Sequence, residues 1–138
     1  MAAMNYDQLW TEFITNTKTD DINLPQTDEK RYDAIHSAIR HFNNRMDTDY
    51  VWDDDTESIS DSTVVDTLVD DHLILLAHFL RLAFLRNQLT DFVSVWNPFA
   101  KEVGIKNLGD QVNRLEVLVD KEEHEIDKII LNSTDEYM

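Results

Sequence analysis

Between Asp47 and Asp71 the sequence reads DTDYVWDDDTESISDSTVVDTLVDD, 25 residues with ten carboxylates, the rings of Tyr50 and Trp52, and no lysine or arginine. Clustered carboxylate oxygens are what a hard divalent cation takes as ligands, so calcium binding is the first chemistry to test. Counted from Asp53 the run is DDDTESISDSTV, without the glycine at the sixth place and the glutamate at the twelfth that a calcium-binding helix-loop-helix uses. It reads better as a solvated acidic loop.

The five histidines offer no metal pattern. His36 and His41 are five apart and His72 and His78 six apart, whereas two imidazoles share a helical face at a spacing of four. The Glu-x-x-His signature of di-iron bundles is absent; only Asp33, three before His36, puts a carboxylate near that position. Without cysteine there is no thiolate zinc site, disulfide or catalytic thiol, and no Gly-x-Ser-x-Gly elbow or phosphate-cradling glycine loop occurs. The residues therefore predict no enzyme, no metal and no cofactor.

The elements that must position these residues follow from pattern. The 138 residues suit one domain, and 42% hydrophobic content argues for a folded chain despite a formal net charge of −16. Such acidity repels phosphate, so binding of nucleic acid by sequence is not expected. It would also suit a saline habitat. No signal peptide is expected from MAAMNYDQLW and no apolar run is long enough for a membrane span, which places the chain in the cytoplasm.

With two glycines and two prolines, helices joined by polar loops are favoured over a sheet. Tyr6, Leu9, Trp10, Phe13 and Ile14 form the stripe of a short amphipathic helix. A second helix should start at Thr27 or Asp28 and run to about Met46, burying Tyr32, Ile35, Ile39, Phe42 and Met46. Alternation of Tyr50 and Trp52 with Asp49, Val51 and Asp53 fits a short extended segment inside the acidic loop.

Ser60, Asp61 or Ser62 would cap the longest apolar tract, which should end near Asn97-Pro98. Being apolar nearly all round, that helix must be central in a bundle or shared with another subunit. Arg81 and Arg86 inside it must either snorkel at a partly exposed helix edge or pair with Asp91, a neighbouring helix or another subunit. Gly104 and Gly109 suit a helix C-cap and a turn before a last helix, Asp110 to Asn132, whose seam of Val112, Leu115, Val119, Ile126 and Ile129 is interrupted by Glu122. The expected fold is all-α: a bundle of about four helices in a single domain, 1–138. Residues 1–26 make an N-terminal helix and linker, 27–132 a bundle core with an acidic loop at 47–62, and 133–138 a polar tail.

In the order YDAIHSAIRHFNNRM, YVWDDDTES, LILLAHFLRLAFLRNQL and LGDQVNRLEVLVDKEEHEIDKIILN, the chain resembles the head-tail connector, or adaptor, proteins of tailed bacteriophages and related prokaryotic viruses. The resemblance covers roughly Asp28 to Asn132. It implies a helical subunit of the virion neck, assembled in the host cytoplasm, commonly as a twelve-membered homo-oligomeric ring. That ring would lie between the portal protein and the tail or a stopper protein and extend the DNA channel. It makes Tyr50, Trp52, Asp53, Asp54 and Asp55 expected contacts to the tail side or to a neighbouring copy, and Ile130, Leu131, Tyr137 and Met138 expected contacts to the portal. A lumen lined with carboxylates would keep passing DNA from sticking. The competing expectation is a small acidic regulator or inhibitor that mimics nucleic acid and binds a basic partner.

Overall fold

The structure, a computed structural model, describes residues 2–16, 28–103 and 106–136, with side chains over 2–15, 28–90 and 112–132. In chain order the elements are β1 (Ala2–Asn5), α1 (Tyr6–Asn16), α2 (Asp28–Met46), β2 (Val51–Asp53), β3 (Ser58–Asp61), a 3-10 turn (Asp66–Leu68), α3 (Val69–Val103) and α4 (Lys106–Glu136). The four expected helices are present. A small antiparallel sheet, ordered β1-β3-β2, is added to them.

The extended segment expected around Trp52 is strand β2, while β1 and β3 form where no strand was expected. Ala2 and Met4 point inward while Ala3 and Asn5 face out, the period-two alternation of a half-buried strand. Ala2 pairs with Asp61 and Asn5 with Ser58; on the other side of β3, Val51 pairs with Ser60 and Asp53 with Ser58. Ile59 at the centre of β3 is fully buried. Because Ser60 and Asp61 are held by this pairing, the long helix does not begin there but at Val69, after the 3-10 turn.

Two local devices set the helix ends. Asn5 and Gln8 form a reciprocal capping box: the Gln8 N–H donates to Asn5 Oδ1 at 2.7 Å, and the Asn5 N–H to Gln8 Oε1 at 2.9 Å. At the end of α2, Asp47 adopts φ 55°, the left-handed conformation that closes a helix, and the Thr48 N–H returns to the Asn43 carbonyl. The Asn43 amide then brackets Tyr50, accepting from its N–H and donating to its carbonyl, both at 3.0 Å.

Helix α3 is central, packing on α1, α2, α4 and β1, which accounts for its all-round apolar character. It buries Leu75, Leu76, Phe79, Leu80, Leu82, Phe84 and Leu85, and α2 meets it with Ala34, Ile35, Ala38, Ile39 and Phe42. Buried side chains from all four helices and the sheet, Leu115 and Ala83 apart, form one cluster.

Three further boundaries differ from expectation. Helix α3 continues through Pro98 to Val103, although an interior proline costs a helix one hydrogen bond and a clash with the preceding turn. Helix α4 begins at Lys106, so Gly109 lies within it, while Gly104 is outside the described residues. At its far end α4 runs to Glu136, so residues 133–136 of the expected tail are helical.

Candidate assembly surface

The acidic stretch is a hairpin fastened at both ends. At its tip the four-residue turn Asp54–Glu57 joins β2 to β3, with Glu57 at φ 51° and the Asp55 N–H donating to Asp53 Oδ1 at 3.0 Å. The Glu57 carbonyl accepts from the Tyr6 N–H, so the start of α1 caps the turn. Asp54 Oδ1 accepts from the Tyr6 hydroxyl and lies 2.8 Å from His36 Nε2 on α2. Burial alone would raise the Asp54 pKa, but the bonds from Tyr6 and His36 outweigh it and hold the carboxyl below its usual range. The Tyr6 phenol is pushed upward by burial and then by Asp54.

The base of the hairpin is tied through Asp61, only 2% exposed. One Asp61 oxygen accepts from the Thr63 N–H and hydroxyl at 2.8 and 2.6 Å; the other accepts from the Asp49 N–H at 2.7 Å. Burial raises its pKa, yet these donors more than compensate and the net shift is downward.

The two aromatic residues of the stretch play different parts. Tyr50 is 3% exposed, sits edge-on to Phe42, and shares a 2.8 Å hydrogen bond with His72 Nδ1. Burial, then the charge of Asp61, pushes its pKa up to about 12, and burial outweighs Asp71 and Asp61 to lower that of His72. Tyr50 thus belongs to the core and presents nothing to a partner in this conformation, contrary to its expected place at a contact. Trp52 is half-buried: its ring stacks on His36 at 4.4 Å with 14° between planes, and the Arg40 guanidinium lies 5.3 Å from its centroid.

What the hairpin displays outward is Asp53, Asp55 and Glu57, together with Val51, which is 62% exposed. These carboxylates are therefore carried on a fixed scaffold. Of the residues expected at the other end, Ile130 is half-buried against the core and Leu131 is 62% exposed; Tyr137 and Met138 lie outside the described residues.

Sequence reading missed a second feature, an open groove of about 290 Å³ between α2, α3 and α4. His41, Asn44, Arg45 and Arg86 line it over Phe79 and Ile126. Arg45 pairs with Asp127 at 2.8 Å and Arg86 with Glu123, so the second arginine of α3 finds its partner on the neighbouring helix. Arg81 does likewise with Glu122, which interrupts the α4 seam because it is a buried partner. Among the described residues no group of three or more histidine or carboxylate side chains is arranged to hold a metal ion, and no described helix is long and apolar enough to cross a membrane.

Comparison with known proteins places these features in a lineage. The model of the family described as YomZ prophage protein matches residues 1–135. The SPbeta prophage-derived uncharacterized protein YomZ of Bacillus subtilis (strain 168) is 42% identical over 134 residues, covering 97% of this chain and 98% of the relative. No solved structure matches. Since the match runs from strand β1 through the hairpin to residue 135 in the last turn of α4, the chain belongs to the YomZ prophage protein family.

Proposed function

We propose that the chain is a structural subunit of a phage virion neck, a head-tail connector that acts by assembly and not by catalysis. In this reading it forms a homo-oligomeric ring, commonly of twelve copies, between the portal protein and the tail or stopper, and it is put together in the host cytoplasm. The observation that carries the reading is the fastened hairpin between α2 and α3, which holds Asp53, Asp55 and Glu57 outward on a helical subunit of prophage lineage. Fixed carboxylates suit a channel through which DNA must slide without sticking, and equally a charged docking edge. Leu131, exposed near the end of α4, is the described residue best placed for portal contact.

The same rigidity favours a second reading, an acidic protein that mimics nucleic acid and occupies a basic partner, because mimicry needs carboxylates at fixed spacing. Disrupting the gene in the phage that encodes it separates the two. A connector's loss leaves DNA-filled heads and free tails unjoined in electron micrographs, and the protein is found in purified wild-type virions. Intact, joined virions that lack the protein overturn the connector reading in favour of the inhibitor.

A further inference from the structure

On the side turned away from the bundle, helix α4 carries its charges in two separate rows. Between Val112 and Asn132 the lysines and arginines are Arg114, Lys121 and Lys128, all exposed and seven residues apart. Seven residues fall short of two turns by only about 20°, so the three stand nearly in line. Glu116, Asp120, Glu123 and Asp127 stand roughly 130° round the helix from them. Between the rows runs a ridge of Val117, His124 and Leu131, again seven apart and exposed. With Val119, Glu122 and Ile126 buried behind, α4 presents three sides, each about a third of a turn from the next: the core, a cationic flank and an acidic flank.

The flanks are not neutralised within the chain. Glu123 and Asp127 hold Arg86 and Arg45, but among the described residues Glu116 and Asp120 form no ion pair, nor do Arg114, Lys121 and Lys128. A helix ordinarily neutralises its own surface with glutamate four residues ahead of lysine. Here Val117 and His124 take those places ahead of Lys121 and Lys128, and Glu125, the carboxylate nearest both lysines in sequence spacing, pairs with neither.

Charges flanking a ridge set the direction of a neighbouring helix. With Val117, His124 and Leu131 at heptad position a, the cations fall at e and Glu116 and Glu123 at g. A parallel neighbour brings each g residue to the e residue five places on, which sets Glu116 opposite Lys121. An antiparallel neighbour sets cation on cation and acid on acid. Ridge-to-ridge closure of two parallel copies is disfavoured as well, because Asp120 and Asp127 at position d would meet their own counterparts.

We propose that copies of this chain meet flank to flank through α4, the cationic row of one against the acidic row of the next, with Lys121 lying between Glu116 and Asp120 of its neighbour. The inference rests on the ring reading above and gives it a contact. Two different flanks of one helix make a heterologous interface, the kind from which rings close. From one copy to the next in a twelve-membered ring a helix changes direction by at most about 30°, so neighbouring α4 helices run near parallel, as the charges require. The third side stays in the chain's own bundle.

Charge reversal at exposed positions tests the contact and leaves the core intact. Glu116→Lys with Asp120→Lys makes both flanks cationic; Arg114→Glu with Lys121→Glu makes both predominantly acidic. Each variant should melt like wild type by circular dichroism, and each alone should assemble about tenfold or more weaker, with or without portal, by native mass spectrometry. An equimolar mixture of the two should recover assembly with copies alternating, since every contact then joins opposite charges. Variants that assemble alone as wild type does, or a mixture no better than its components, overturn the α4 contact and leave the ring reading standing where wild type forms rings. Wild-type monomers throughout, with and without portal, remove both.

Discussion

Glu122→Ala destabilises the fold by about 3–5 kcal/mol, the cost of taking one partner from a buried ion pair, and lowers the melting temperature by roughly 10 °C or more. Glu122 is 6% exposed on α4; its oxygens lie 2.8 Å from His78 Nδ1 and 3.0 Å from Arg81 Nε, both on α3. Arg81 is itself 6% exposed, so truncation takes a carboxylate from a cation that is already out of water. Joining α4 to the core otherwise relies on few buried side chains among the described residues, chiefly Val119 and Ile126. The paired change Arg81→Met with Glu122→Leu removes both charges together and should recover most of that loss, the remainder being the cost of leaving His78 Nδ1 without its carboxylate. Urea denaturation of the three proteins measures the contrast; equal losses in the single and paired variants would show that packing, not charge, sets the cost.

Tyr50→Ala and Trp52→Ala part company in the same way. Removing the Tyr50 ring opens a cavity beside Phe42 and takes away the partner of His72 Nδ1, with an expected loss of about 3–5 kcal/mol. Trp52→Ala gives up stacking on His36 and the Arg40 contact on a half-buried surface, about 1–2 kcal/mol. Thermal melts followed by circular dichroism should place the Trp52 variant close to wild type and the Tyr50 variant well below it. Similar melting temperatures for the two would contradict the assignment of Tyr50 to the core. The assembly role proposed for the hairpin is consequently best probed through Trp52, Asp53 and Asp55, since a Tyr50 change confounds docking with folding.

That the two rings look alike in sequence and differ in space shows where pattern reading stops. The stripe Ile35, Ile39, Phe42 was legible because helical periodicity maps directly onto burial, and α3 was legible as central because no polar face remains on it. Strands β1 and β3 were not, since Ala-Ala-Met-Asn and Ser-Ile-Ser-Asp carry little strand propensity and pair across more than fifty residues. One local signal was available and passed over: Asn5 and Gln8 at capping-box spacing mark the start of α1 and the end of what precedes it. Glu122 stood out as a polar break in an apolar seam, but its partners lie more than forty residues back on α3. The groove needs Arg45 and Arg86 brought together by three helices, and no spacing rule anticipates that.

The proposal that the chain works as one member of an assembly draws on the exposed hairpin carboxylates and the prophage lineage. The most direct test is the mass of the purified protein, alone and mixed with its portal, by native mass spectrometry or light scattering at physiological salt. A closed ring, or a portal-dependent assembly of many copies, is the predicted result. A monomer or dimer whose mass is indifferent to portal would contradict the account.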